Sequence, residues 1–417
     1  MKRSMLNFSQ IGEDICEVPS DQKNRLRRTK QKFIQMKYFR IPYVFSLLAL
    51  FLFSCRKEKD INGEETIPLP SQTDSIIQGF YLLNEGNWNT NMASLDYYDY
   101  ASGTYRKNLY GAANPDATLG LGDVGNDIGI YGSKIYAVVN ASNKIEIMDA
   151  VTAKRIKTIT LENCRYITFA NGRAYASAYT GKIVLGPNSP NGIVAEIDTA
   201  TFEIRRTVEV GRQPEEMAIV SNKLYIANSG GYSPPDYERT VSVIDLASFQ
   251  RIKNIDVAIN LHRLKADSNG DLYVTSRGDY YEIPSKLFII DTKTDAVKKT
   301  FDIAAANLCI AGDSAYIIGS EFSYKTSTWE NTYHLINTKT ETLLEGSFIK
   351  DGTEVLLDKP YGIAADPLSR NIYITDAKDY VSSGILHGYD KSGTKTFSIS
   401  SGNIPAHFAF VYKTITK

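Results

Sequence analysis

From residue 79 onward the chain alternates short apolar runs with polar breaks rich in Gly, Asn, Asp and Ser. No stretch carries the 3.6-residue period of a long amphipathic helix, and the runs are rich in Val, Ile and Tyr, as strands are. One phrase recurs, a small turn followed by an aromatic and an apolar run: YGSKIYAVV, ANGRAYASA, VSNKLYIAN, SNGDLYVTS, AGDSAYIIG and LSRNIYITD. A second follows each: IMDAVTAKR, EIDTATFEI, VIDLASFQR, IIDTKTDAV, LINTKTETL and GYDKSGTKT, with a first copy at YYDYASGTY. Its polar markers are Asp99, Asp149, Asp198, Asp245, Asp291, Asn337 and Asp390, spaced by 50, 49, 47, 46, 46 and 53 residues. A period near 50 residues with four short strands per unit describes the blade of a β-propeller.

The expected fold is therefore all-β, a seven-bladed propeller of four-stranded blades over 79–417. In the second unit the strands are predicted at Asp127–Tyr131, Ile135–Val139, Lys144–Met148 and Arg155–Thr160. The marker turns have a local cause, since Asp and Thr side chains bond nearby backbone groups and stabilise a tight reversal. The recurrent Tyr at the start of the second strand (Tyr81, Tyr136, Tyr175, Tyr225, Tyr273, Tyr316, Tyr373) fits a structural role between blades. The first unit lacks its innermost strand, and IPAHFAFVY (404–412) resembles that strand. The C-terminal segment is expected to pair beside Gly79–Leu83 and close the ring, which removes exposed sheet edges.

Calling the strands of each unit A to D, the B-to-C loops and D-to-A links fall on one face, and the A-to-B and C-to-D turns on the other. The turns of the second set are tight. The B-to-C loops are mostly long: 84–92, 178–192, 228–240, 276–286 and 319–331. They are full of Trp, Tyr and Phe, and long loops on a rigid scaffold commonly carry function. The binding residues expected on this face are Trp88, Arg165, Tyr166, Tyr179, Tyr232, Tyr237, Arg277, Tyr280 and Trp329. Aromatic and Arg anchors suit a large amphipathic ligand. Glu215, His262, Arg263, Tyr361 and His407 join them on the D-to-A links.

Charge and the N-terminal segment place the chain. Of the 47 basic and 47 acidic residues, ten and four lie in 1–54, leaving a mildly acidic body of net −6. That argues against a nucleic-acid partner, which would need a basic stripe. Residues 41–53, IPYVFSLLALFLF, are too few to span a bilayer comfortably. They follow Lys37 and Arg40 and end at Leu52-Phe53-Ser54-Cys55, as a signal peptide does. The ending resembles a lipobox, which implies a lipid on Cys55 and a protein held at the outer membrane, exposed on the cell surface. Phe53 is bulkier than the lipobox pattern usually carries. Met36 opens a complete signal peptide by itself, so 1–35 is expected to be an upstream extension, 36–54 the signal and 55–78 a flexible tether. Cys164 and Cys309 are too far apart for a disulfide framework or zinc spacing.

Signals for catalysis are weak. Four His residues show no metal-binding spacing, and no G-x-S-x-G elbow exists. Gly120–Gly125 matches G-x-G-x-x-G by letter but does not sit between a strand and a helix. Asn126, Asp127 and Glu215–Glu216 are placed to reach a central channel, where a cation is one reading and solvated loop is the other. No cofactor is expected.

The repeats resemble the broad YncE-like class of bacterial propellers. A narrower likeness lies in NEGNWNTNMASLDYYD (84–99), 121–150, NCRYITF (163–169), GRQPEEMAI (211–219) and KLYIANSGGYSPPDYERTVSVIDL (223–246). These segments resemble the BtuG-type surface lipoproteins, seven-bladed propellers that capture cobalamin outside a Gram-negative cell and pass it to a TonB-dependent outer-membrane transporter of the BtuB type. The likeness runs over most of 79–412 and is strongest in the first four units. It implies a non-enzymatic binding protein for cobalamin or a related corrinoid. A metal-dependent propeller lyase or lactonase, and a glycan-binding or adhesion scaffold, remain the alternatives.

The anchor is directly testable. Cys55→Ser is expected to move the protein from the membrane fraction to the soluble fraction, with mass spectrometry of the wild type showing acyl groups on Cys55. An unprocessed peptide spanning Phe53–Arg56 as the dominant wild-type form would refute it.

Overall fold

Each repeat folds into one antiparallel sheet, with strands in chain order in blades two to seven, and the seven sheets form a propeller. The structure is a computed structural model that describes residues 64–66, 77–323 and 327–412, all within Ile61–Lys417, one of two units into which the chain divides. Cys55 and the signal segment lie outside the described residues. The innermost A strands are Gly125–Tyr131, Cys164–Ala170, Pro214–Val220, Leu261–Ala266, Asn307–Ala311, Pro360–Ala365 and Pro405–Tyr412, from blades two to seven and then one. Each A strand packs against the next around the axis, and Pro405–Tyr412 completes the ring between Pro360–Ala365 and Gly125–Tyr131.

The closing strand pairs as the missing repeat element predicts. Pro405–Tyr412 runs antiparallel to Ile77–Asn84, with Phe80 opposite Phe410 and Tyr81 opposite Ala409. Phe80, Phe408 and Phe410 interlock there, with ring centroids 5.4 and 5.8 Å from Phe80. Blade one gains a fifth strand that the repeat pattern does not show: Glu64–Thr66, within the expected tether, pairs with Thr104–Arg106 at the outer edge. Among the described residues helix is limited to one turn-and-a-half at Leu109–Ala113 and a 3-10 turn at Thr353–Leu356, both in D-to-A links.

The marker residues are turn-formers throughout. Asp149 Oδ1 accepts from the backbone N–H of Val151 at 3.1 Å and Thr152 at 2.9 Å. Asp99, Asp198 and Asn337 repeat the arrangement. These N–H donors hold the Asp149, Asp198 and Asp245 carboxyls below the usual range.

The strand-B tyrosines bind blades together. Tyr81 donates to Ala150 O at 2.9 Å, reaching the C-to-D turn of the next blade. Tyr225 donates to Asp295 Oδ1 at 2.7 Å in the corresponding turn of blade five, and Tyr175 packs its ring against Phe249 at 6.0 Å. Tyr373 reaches across the closure, its hydroxyl 2.8 Å from that of Tyr100, which in turn donates to Asp366 Oδ2 at 2.9 Å. All three groups are buried.

That last contact predicts a stability difference between two identical substitutions. Tyr100→Phe strands the Tyr373 hydroxyl and takes a donor from buried Asp366, so it should cost about 1–3 kcal/mol. Tyr136→Phe removes a hydroxyl that has no partner among the described residues, so it should be near neutral. Urea melts of both variants decide the matter; equal effects would remove the closure contact from the account.

Candidate ligand-binding face at the channel mouth

The A strands set the register of the site. In every blade the same A-strand position lies opposite the strand-B tyrosine: Gly129, Thr168, Ala218, Lys265, Cys309, Ala364 and Ala409. Two residues earlier, on the same side of the strand, stand Asp127, Tyr166, Glu216, Arg263, Asn307, Gly362 and His407. Six of the seven A strands carry an extra residue at this mouth end, where the register with strand B slips; Asn307–Ala311 pairs regularly. A bulge re-aims side chains, and it turns Arg165 with Tyr166, Glu215 with Glu216 and His262 with Arg263 towards the mouth.

Hydroxyls on strand B support the bulges. Ser177 Oγ accepts the Tyr166 N–H at 3.1 Å, Thr275 Oγ1 that of Arg263 at 3.0 Å, and Thr375 Oγ1 that of Gly362 at 2.7 Å. Carboxylates of one blade cap the A strand of the next: Asp127 Oδ2 accepts from Ile167 N at 2.8 Å, and Glu216 Oε2 from Leu264 N at 2.9 Å.

Tyr166 lies across the channel. It belongs to blade three, yet its hydroxyl is 3.0 Å from His262 Nε2 and accepts from Arg263 Nη1 at 3.1 Å, both on blade five. Its ring is also 6.4 Å from that of His407 on blade one. Contacts to blades on both sides that are not its neighbours have to run through the channel, so this ring fills part of the mouth. Around it Arg165 donates to Glu215 Oε2 at 2.9 Å and to Asn126, and stacks over Tyr179 at 5.2 Å. Glu215 Oε1 accepts from Tyr179 at 2.7 Å and Ser229 at 3.1 Å. On the far side His407 Nε2 is 3.1 Å from Glu85 Oε1, which also accepts from the Tyr361 hydroxyl.

The two nitrogens of His262 are distinguishable. Arg277 Nη2 lies 2.8 Å from Nε2 and can only donate, so Nε2 accepts and Nδ1 carries the proton. Burial, then Arg277 and Arg263, hold this imidazole well below its ordinary value and keep it neutral. Burial pushes the Glu216 carboxyl up, but Lys265 at 2.6 Å and Arg263 outweigh it, and the group stays below the usual range. Burial raises Asp127 against the opposing pull of His407.

The expected binding residues divide into a floor and a rim. Arg165, Tyr166, Tyr179, Tyr232 and Arg277 come together, with Tyr232 6.2 Å from Tyr179. Tyr166, Tyr179 and Tyr237 are buried rather than presented to solvent, and Arg165 is committed to Glu215 and Asn126; these groups shape the floor. Burial, then the neighbouring Tyr280, pushes the Tyr237 hydroxyl up to about 12. Trp329 belongs to a second cluster, with Phe322 at 5.9 Å, Tyr380 at 6.4 Å and Lys359 Nζ 4.4 Å above its ring. Tyr361 joins that cluster to the centre, 5.9 Å from Tyr380. Trp88 stands out at the rim, 49% exposed, beside Asn87, which bonds the Tyr380 carbonyl. The segment 319–331 is not a loop: strands Ser314–Ser323 and Thr328–Asn337 run on as a hairpin that lifts Phe322 and Trp329 to the face. Glu85, Ser229 and Lys359 escaped the sequence reading, although Glu85 directly follows the first strand B and Ser229 the fourth. Among the described residues no group of His, Cys, Asp or Glu is arranged to hold a metal ion.

Comparison with known proteins gives a family and a fold. Residues 78–412 match the family described as "Domain of unknown function (DUF5074)". No curated protein matches the chain. Among solved structures it is similar to the periplasmic gluconolactonase of Pseudomonas aeruginosa, at 12% identity and a TM-score of 0.56, covering 80% of this chain and 100% of that one. A functionally unknown protein from Desulfotomaculum acetoxidans follows at 10% and 0.55, covering 81% and 100%. A quinonprotein alcohol dehydrogenase-like protein from Bacteroides thetaiotaomicron stands at 15% and 0.53, covering 81% and 79%. At these identities the likeness is one of fold.

The neutral histidines predict acid sensitivity. Burial, then Lys395, brings His387 down to about 4, and His262 is lowered as described. An unfolded chain protonates both near pH 6.5, so it binds more protons than the fold, and stability falls as pH drops below that value. Urea melts at about pH 7 and about pH 5 should show a loss of up to about 1.4 kcal/mol per pH unit for each such histidine. His387→Gln should flatten the fall, and the comparison isolates the imidazole from Asp96 and Asp127, whose buried carboxyls are raised and act with the opposite sign. An unchanged slope in the variant would contradict the assignment.

Proposed function

The chain belongs to the DUF5074 family, and we propose that it is a lipid-anchored, surface-exposed binding protein that captures cobalamin or a related corrinoid on the channel-mouth face and hands it to a TonB-dependent outer-membrane transporter. The observation that carries this reading is the unbroken strip of guanidinium, hydroxyl and aromatic groups across the mouth. It runs from Tyr232, Tyr179 and Arg165 to Tyr166, with His262 and Arg277 beside it, and on through His407 and Glu85 to Tyr361, Tyr380 and Trp329. A corrin ring is broad, fairly flat and fringed with amides. Such a ligand needs an apolar surface with a few convergent polar groups, held in place before it arrives.

The division into floor and rim assigns the work. Buried Tyr166, Tyr179 and Tyr237 hold the floor rigid, while Trp329, Tyr232, Tyr280 and Trp88, which keep solvent-accessible surface, are the ones to meet the ring. The likeness to BtuG-type proteins is strongest in blades one to four, which supply Arg165, Tyr166, Tyr179 and Tyr232. Binding without chemical turnover is the reading, and no catalytic residue is assigned.

Calorimetry with cyanocobalamin tests the proposal. Wild type should bind at micromolar concentration or tighter. Trp329→Ala should weaken binding by about 2 kcal/mol, roughly thirtyfold. Val151→Ser, in an exposed turn of the opposite face, should leave it unchanged. Absence of binding by wild type at micromolar concentration rejects the corrinoid reading. Binding sensitive to Val151→Ser alone keeps the ligand and rejects the face.

A further inference from the structure

One corner of the mouth holds more donors than acceptors. Arg263 is only 5% exposed, and the one described hydrogen bond of its side chain runs from Nη1 to the Tyr166 hydroxyl at 3.1 Å. Its Nε–H is buried without a partner, and among the described residues no carboxylate comes within ion-pair distance of it. The adjoining His262 is 7% exposed, and its protonated Nδ1 also lacks a partner. Arg277 brings a second guanidinium to the same imidazole, at 2.8 Å.

Arg165 and Lys265 differ from Arg263 in this respect. Arg165 is matched by Glu215 at 2.9 Å and Lys265 by Glu216 at 2.6 Å. Tyr166 offers Arg263 its ring face at 5.3 Å, which is a partial substitute for a counter-ion. Stranded buried donors are costly. A fold that keeps two of them, Arg263 Nε–H and His262 Nδ1–H, at its channel mouth is arranged for a group that supplies negative oxygen atoms. Guanidinium forks and an N–H donor fit a phosphate-type oxyanion, which accepts from several donors at once.

We propose that the blade-five corner, Arg263 with His262 Nδ1 and Arg277, is an oxyanion subsite that receives a phosphate-type group. Under the corrinoid reading, on which this assignment of the ligand rests, the group is the phosphodiester of the nucleotide loop that hangs below the ring. Free phosphate offers the same chemistry. Arg263 lies beside Tyr166, so the bound anion would sit near the axis, with the ring above it against the aromatic rim.

The test uses the full-length protein and three probes: cyanocobalamin, a cobinamide that lacks the nucleotide loop and its phosphodiester, and inorganic phosphate. Wild type should prefer cyanocobalamin over cobinamide by about tenfold or more, the scale of one charge-assisted contact. Arg263→Met should erase that preference, and Arg263→Lys should keep part of it. Millimolar phosphate should raise the Tm of wild type but not of Arg263→Met. Equal loss of affinity for both corrinoids in Arg263→Met, or an unchanged preference, overturns the subsite. If neither corrinoid binds while phosphate protects wild type alone, the subsite stands and the corrinoid reading falls. If cyanocobalamin and cobinamide bind wild type equally and phosphate has no effect, the corrinoid reading stands and the subsite falls.

Discussion

The pairing of Pro405–Tyr412 with Ile77–Asn84 holds everything else in place. A propeller blade cannot bury both faces of its sheet alone; each needs a neighbour on either side. The first of the seven repeats lacks its innermost strand, so the ring is complete only when the C-terminal strand supplies that position in blade one. The same pairing places His407 beside Glu85 and 6.4 Å from the Tyr166 ring, so the closing strand also builds one wall of the mouth. Stability and site are therefore coupled through one contact: whatever loosens the closure also shifts a side of the binding face.

Within the closed ring a recurrent defect creates the site. A regular A strand would send alternate residues to the axis and to the blade interface. The extra residue at the mouth end turns two successive side chains to the same side, and Ser177, Thr275 and Thr375 satisfy the N–H groups that the slipped register frees. Pairs such as Arg165–Tyr166 and His262–Arg263 can then act together, one at the rim of the mouth and one across the channel. Blade six lacks the bulge and contributes differently, through a hairpin long enough to raise Trp329 to the face.

What the sequence revealed is what local interactions and period determine. The Asx turns at Asp99 to Asp390 are made by residues two or three apart, so they recur visibly. The strand-B tyrosines were legible because every blade buries the same large ring at that position. The bulges were not, since a bulge is a property of pairing and leaves no fixed residue type behind. Nor could the position of Tyr166 across the axis be read, because it depends on how far blades three, five and one stand from one another once the ring closes. The segment 319–331 misled for a simpler reason: Thr, Tyr and Trp suit an extended hairpin as well as an aromatic loop.

Burial separates what a mouth residue is by type from what it does. Tyr166 and Tyr179 are aromatic anchors by composition, yet each spends its hydroxyl on a partner within the protein, His262 and Glu215 respectively. Their value to a ligand is indirect, as a floor that does not have to be ordered on binding. Arg165 is likewise neutralised before any ligand arrives, which makes it a brace for Tyr179 rather than an anion receptor. Arg263 is the contrasting case: its Nε–H has no partner, and Glu216, whose carboxylate it helps hold ionised, is hydrogen-bonded by Lys265 instead. The mouth thus combines a side whose polar groups are matched within the protein with a corner that keeps stranded donors, Arg263 Nε–H and His262 Nδ1–H, and an unmatched donor is the one feature there that the fold itself does not explain.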